Sequence, residues 1–238
     1  MKNSKFPSPR AIPLSCLAGG GRRLAFAAFT RLELVLVVAA LGLLTTLFVR
    51  AQVDTQNRPM RDRIICSSNL KQIGLAFRMW SNDHHDKFPM QFSADKEGSR
   101  EAIDKQEPWI HFLVLSNELS NPRVLACPAD DRVRTTNFLK LTLTNLSYFV
   151  GLDADEALPQ MLLSGDRNLT NGVAPKKGIL ELTDNPPAGW TETIHNERGN
   201  LGQSDGSAQQ TTTPILRRQI AAANASNKIG RTRLQLPE

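Results

Sequence analysis

The sequence predicts an α+β fold: a long N-terminal membrane-spanning helix continues into an amphipathic helix, which packs on a C-terminal antiparallel sheet. Three observations predict it. Residues 29–49 are apolar but for Thr30, Arg31, Glu33 and the pair Thr45-Thr46, and no charge occurs from residue 34 to residue 49. Residues 60–82 place Cys66, Leu70, Ile73, Phe77 and Trp80 at spacings of 4, 3, 4 and 3, the period of a helix with one buried face. After residue 145, short β-rich runs alternate with Asp, Asn, Gly and Pro, the punctuation of hairpins.

The first 28 residues hold Lys2, Lys5, Arg10, Arg22 and Arg23 and no acid, so they carry +5 of the chain's +6. A chain starting at Phe29 keeps only +1. The basic balance therefore belongs to this leader and does not signal nucleic-acid binding. Basic residues before an apolar span instead set its orientation, with the N-terminus cytoplasmic and everything after Arg50 outside. Ala25-Phe26-Ala27 has the small-x-small form of a signal-peptide cleavage site, but a signal peptide carries its apolar region before that site. Here the apolar region follows, and Cys16 lacks an upstream apolar region in the same way. As a helix, residues 29–49 reach about 31 Å, enough to cross a hydrocarbon core of ~30 Å. An ionisable group such as Glu33 at the edge of a span is costly unless paired, and marks function.

Asn57-Arg58-Pro59 breaks the pattern, so a kink or a fresh helix start is expected there. Arg63, Ser67, Lys71 and Arg78 fall off the apolar stripe of the helix that follows. Residues 83–108 read as loops. Residues 109–115 are apolar and short, either helix or strand. Residues 121–135 read as a loop around Asn121-Pro122 and Cys127-Pro128. Strands are expected over residues 146–152, 161–163, 178–182, 190–194 and 199–203, and a last helix over residues 214–225. The expected organisation is a basic leader (1–28), a transmembrane helix (29–56), an extracytoplasmic head (57–226) and a basic flexible tail (227–238).

Cys66 and Cys127 are the only cysteines after residue 28. An even count on the outer face of a membrane fits a disulfide; two independent buried thiols are the alternative. A bridge would tie the amphipathic helix to the loop before the sheet.

The segment Phe29-Thr30-Arg31-Leu32-Glu33 before the apolar run resembles the N-terminus of type IV prepilins and type II secretion pseudopilins. That resemblance implies cleavage between Ala28 and Phe29, methylation of the new amine, and an assembly role for Phe29 and Glu33. Ala28 stands where the family has Gly, and Arg31 where it has a hydrophobic residue. A second resemblance runs through the head. Cys66-Ser-Ser-Asn69-Leu-Lys-Gln-Ile-Gly74, Cys127-Pro128-x-Asp130, and His195 followed after nine residues by Asp205-Gly206 are similar, in this order, to a large bacterial group of prepilin-like proteins. The fold expected is accordingly pilin-like. Asp205-Gly206 suits a tight hairpin turn, since Gly takes positive φ without steric cost. His195 and Asp205 are read as structural hydrogen-bonding residues.

Other chemistry finds less support. Gly202-Gln-Ser204-Asp-Gly206 matches a nucleophile elbow, but no His follows Ser204 as the hydrolase order requires. His84 and His85 are adjacent and lack a metal-ligand pattern. Asp153 and Asp155 either form a solvated acidic turn or bind calcium, although their spacing is not that of an EF-hand. The expectation is a non-enzymatic structural subunit without a cofactor, in a type II secretion or type IV pilus-like filament. By resemblance its partners are the prepilin peptidase, other pilin or pseudopilin subunits, an inner-membrane assembly platform and membrane lipid. The expected location is the bacterial inner membrane, single-pass, with a periplasmic head. The alternative is a membrane-tethered binding module that does not polymerise.

Overall fold

The computed structural model describes residues 30–238, without the side chains of residues 54–57. Ala28 and Phe29, the expected processing site, lie outside the described residues. The chain divides into two compact units, with the boundary between Ala51 and Gln52.

The first unit holds the start of α1 (Arg31–Asp83). Thr30 and Glu33 form a capping box: Thr30 Oγ1 accepts the Glu33 N–H at 3.3 Å, and Glu33 Oε2 accepts the Thr30 N–H at 3.0 Å. Thr30 also donates its hydroxyl to Glu33 at 3.1 Å. The pattern Thr-x-x-Glu satisfies two donors that a helix start leaves orphaned. The stretch Arg31–Val53 is long and apolar enough to cross a membrane, and none of its most apolar window is buried. Thr45 and Thr46 return their hydroxyls to the carbonyls of Gly42 and Leu43, which keeps their polar atoms within the helix.

The expected fresh helix start at Pro59 is corrected. α1 is continuous through that proline. Proline removes one donor from the ladder, and the turns on both sides carry the helix past it.

The second unit is an α+β head. From Cys66 onward the predicted stripe of α1 is buried: Cys66, Leu70, Ile73, Phe77 and Trp80 are each at most 3% exposed. Short helices α2 (Glu101–Lys105), α3 (Trp109–Val114) and α4 (Ser116–Leu119) follow, so residues 109–115 resolve as helix. The strands are β1 (Tyr148–Gly151), β2 (Leu162–Asp166), β3 (Leu169–Thr170), β4 (Ile179–Leu182), β5 (Gly189–Trp190), β6 (Arg198–Gln203), β7 (Ala208–Thr212) and β8 (Thr232–Gln235). α5 (Thr213–Ser226) lies between β7 and β8. The main sheet has the order β4-β8-β1-β2-β6-β7, and β3 pairs with β5 apart from it. Every strand pairing is antiparallel.

Successive strand residues point to opposite faces, and here both faces are covered. Tyr148, Val150 and Leu163 join the core under α1, with Phe77, Phe88 and Phe112. Phe149, Leu162, Leu201 and Leu234 join a second core with Leu216 and Ile220 of α5. Burial on both faces is why β1, Tyr-Phe-Val-Gly, shows no polar alternation, and why every residue of β2 is buried, its Ser164 and Asp166 included.

Three expectations need correction. The tail expected to be flexible holds a strand: β8 sits between β1 and β4, with Leu234 and Gln235 fully buried. Arg231 and Arg233 suggested a charged mobile end, but they alternate with buried Thr232 and Leu234, the period of a strand. Arg233 pairs with Asp153 and Arg231 with Glu181. The strand expected over residues 190–194 is only β5, because the chain turns at Asn196 and Glu197, both at positive φ. β3 and β7 were unforeseen; β7, Ala-Gln-Gln-Thr-Thr, has too little apolar content to read as a strand.

Candidate functional site

α1 brings Cys66 to the loop after the 3-10 turn Pro122–Leu125, where Cys127 is bonded to it as a disulfide with a Cα–Cα separation of 5.4 Å. The Cys127 N–H donates to the Ser147 hydroxyl at 2.9 Å, which fixes the loop against the start of β1. On α1 one turn later, Asn69 Nδ2 donates to the buried Tyr148 hydroxyl at 3.2 Å.

Two further side chains close on the sulfurs. His195, in the turn before β6, places Nε2 at 3.4 Å from Cys127 Sγ and at 3.4 Å from Asp166 Oδ2. Asp166 ends β2 and is fully buried. Its Oδ2 accepts the Asn200 main-chain N–H at 2.7 Å and the Asn200 side-chain amide at 2.8 Å. Its Oδ1 is buried with no hydrogen-bond partner among the described residues. One ligand-type atom from each of Cys66, Cys127, Asp166 and His195 lies within 4.8 Å of all the others.

Electrostatics keep this cluster close to neutral. Burial raises the Asp166 pKa from 3.8 to about 7, against the pull of the two Asn200 hydrogen bonds. Burial, then the nearby Arg63 charge, lowers His195 from 6.5 to about 4. With His195 held neutral, its 3.4 Å approach to Asp166 is a close contact of a neutral imidazole rather than an ion pair. At the rim, Asp130 takes a bidentate bond from Arg167 at 2.8 and 2.7 Å. Burial opposes ionisation of Asp130, but bonds from Arg167 outweigh it and hold its carboxyl below 3.8.

The Asp205-Gly206 pair forms the β6–β7 turn, with Gly206 at φ +82°. Gly206 N–H bonds the Gln203 carbonyl at 2.9 Å, and Asp205 Oδ1 accepts the Ser207 N–H at 2.8 Å. This turn rests on α1 at Gly74, where an added Cβ would come within 3.0 Å of Gly206 Cα. Arg78 Nη1 also donates to the Asp205 carbonyl at 3.1 Å. Cys66 and Gly74 are eight residues apart, about 12 Å along a helix. β6 runs beside those two turns, from the His195 end at Cys66 to the Gly206 end at Gly74, and midway a Cβ added at Gly202 would lie 3.9 Å from Leu70. The nine-residue spacing between His195 and Asp205 is the length of chain that joins these two contacts.

The remaining sequence candidates lie elsewhere. The carboxylates of Asp153 and Asp155 are engaged by Arg233 and Lys87. His84 stacks on Trp80 with ring centroids 3.6 Å apart, and its Nε2 lies 3.5 Å from Glu97. Ser204 is buried in the β6–β7 turn, a strand-turn-strand setting, with its hydroxyl 3.4 Å from the Met161 carbonyl. Sequence reasoning missed Asp166 and Asn200. An Asp closing the run Leu-Leu-Ser-Gly-Asp reads as the start of a turn, and only the pairing of β2 with β6 sets it against Asn200.

No family model, no curated protein and no solved structure matches the chain.

Proposed function

We propose that the chain is a prepilin-like structural subunit, trimmed by a prepilin peptidase and assembled from the inner membrane into a type II secretion or type IV pilus-like filament. One observation carries the reading: Glu33 stands at the head of α1, and the stretch behind it is apolar, free of charge to Val49 and, among the described residues, exposed. A carboxylate at that depth needs a cation or a close set of donors. The free amine of Phe29 on a neighbouring subunit would supply the cation after cleavage. The head supports the reading in a second way: its family-like motifs converge on α1, so they serve to fasten the sheet to that helix.

The capping box favours a second reading, a tethered binding module that does not polymerise. Thr30 already donates two hydrogen bonds to Glu33, which lessens the demand for a neighbour. N-terminal mass spectrometry of protein extracted from the membranes of its native host tests the proposal. The expected mature chain begins at Phe29 with a methylated amine. A chain retaining residues 1–28 would overturn it.

A further inference from the structure

The disulfide is not the only crosslink that the Cys66 cluster can make. We propose that the reduced head binds one zinc ion through Cys66, Cys127, His195 and Asp166, so that metal and disulfide are alternative fastenings of the same helix to the same loop.

The geometry carries this. Zinc holds two thiolates, an imidazole nitrogen and a carboxylate oxygen at about 2.3, 2.0 and 2.1 Å, which places neighbouring tetrahedral ligands roughly 3.4–3.8 Å apart. His195 Nε2 already lies 3.4 Å from Asp166 Oδ2 and 3.4 Å from Cys127 Sγ. All four ligand atoms lie within 4.8 Å of one another. The two sulfurs, bonded to each other in the oxidised chain, must part to take up ligand spacing, and they do so when their bond is broken. Four ligands of this kind make a closed site with no open position, the type that serves structure.

The surroundings are those of a site. Asp166 is fully buried, and its Oδ1 has no partner among the described residues. The two Asn200 donors orient the carboxylate from behind, as outer hydrogen bonds do for metal ligands. Two thiolates and a carboxylate around Zn²⁺ leave one net negative charge. Arg63 is a cation whose field reaches both Asp166 and His195, and its Nε is buried without a partner among the described residues.

The conversion balances with a dithiol as reductant. The dithiol gives two electrons and two protons to the Cys66–Cys127 bond and closes to its own cyclic disulfide. The two new thiols then lose two protons as zinc binds. In the oxidised chain the sulfurs are bonded to each other and zinc has no site.

The test uses the full-length chain in detergent, with Cys16 replaced by Ser so that only the cluster supplies thiols. The chain is reduced with a phosphine and titrated with Co²⁺, whose visible spectrum reports tetrahedral thiolate ligation. The expected result is one cobalt per reduced chain, displaced by one equivalent of Zn²⁺, and none in the oxidised chain. Asp166→Asn and His195→Ala, first shown by circular dichroism to be folded in the oxidised form, should each weaken the reduced chain's affinity about tenfold or more. A reduced chain without the cobalt spectrum, or equal binding by the Cys66→Ser/Cys127→Ser variant, would overturn the proposal. So would unchanged affinity in both the Asp166 and His195 variants.

Discussion

Leu34 and Leu70 belong to the same helix and have opposite surroundings. Leu34 is 58% exposed and its neighbours are exposed at every position around the helix, whereas Leu70 is 1% exposed. The first stretch of α1 is apolar all round. The second is apolar on one stripe, and the head covers that stripe. A helix that is apolar on every face needs an apolar medium or other helices around it. The head is complete in itself: both faces of its sheet are covered, and the motifs around Cys66 and Gly74 hold the sheet to α1. Stability in the head should therefore depend on the chain alone, and in the first stretch on what surrounds it. Each expectation below probes one side of that contrast without touching the other.

The largest effect belongs to the disulfide. It closes a loop with a sequence separation of 61, worth about 4 kcal/mol in the chain-entropy model. Cys66→Ser/Cys127→Ser should lower head stability by that amount in denaturant titrations with chelator present. Membrane retention of the same variant should match wild type. Loss of retention together with loss of stability would erase the contrast between the two stretches.

The next effect is a pH dependence from His111. It is fully buried, with Ser99 Oγ at 2.7 Å and Gln235 Oε1 at 2.8 Å from its two ring nitrogens. Burial lowers its pKa from 6.5 to about 4, with the Gln235 acceptor pulling the other way. Because the folded value is depressed, the unfolded chain takes up a proton that the folded chain refuses. The stability is whole above pH 6.5 and is lost as pH falls toward 4, by about 3 kcal/mol in all. His195 titrates in the same sense, but Asp166, raised to about 7, titrates in the opposite sense and offsets it. Asp130, held below 3.8, gives up its contribution only at lower pH. His111→Gln should therefore flatten the denaturation midpoint between pH 6.5 and pH 4. A variant with the full wild-type slope would show that the assignment to His111 is wrong.

The contrast can also be struck from the membrane side. Leu41 is 56% exposed within Arg31–Val53. Leu41→Arg should cost about 3 kcal/mol of membrane insertion, visible as a lower inserted fraction in a translocation assay. The melting temperature of the head should not move.

How far each part was legible in the sequence follows the same division. The apolar run, the stripe from Cys66 to Trp80 and the α5 segment announce themselves, because each is long and its period is set by one environment. The pairing order of the strands was not legible. β8 was hidden because Arg231 and Arg233 make its start look like a charged tail, while Thr232 and Leu234 between and after them are buried. β7 was hidden because a sheet edge can be built from Gln and Thr when β6 supplies the hydrogen bonds. In the site, Cys66, Cys127 and His195 stood out as motif residues, and Gly206 as a turn residue. Asp166 and Asn200 carried no local signal, since a buried carboxylate is defined by the strand that folds against it. The capping box is legible as Thr30-x-x-Glu33, a pattern that the position of Glu33 at the head of an apolar run overshadows.

That double reading of Glu33 gives the smallest expected effect and the sharpest one. As a cap it needs only the shape and acceptor of the side chain, and Gln serves at this position as Glu does. As an assembly residue it needs the charge. Glu33→Gln therefore keeps the cap and removes the charge, whereas Thr30→Ala keeps the charge and removes the cap. Loss of the cap should weaken the helix start by about 1 kcal/mol, measured as faster amide exchange in residues 31–34 of detergent-held chain. Glu33→Gln should leave that exchange unchanged. If the charge pairs with a neighbour's Phe29 amine, subunit crosslinking in the native membrane should fall with Glu33→Gln and persist with Thr30→Ala. The reverse pattern, with crosslinking lost only when the cap is lost, would make Glu33 a helix-capping residue and favour the tethered module over the filament subunit.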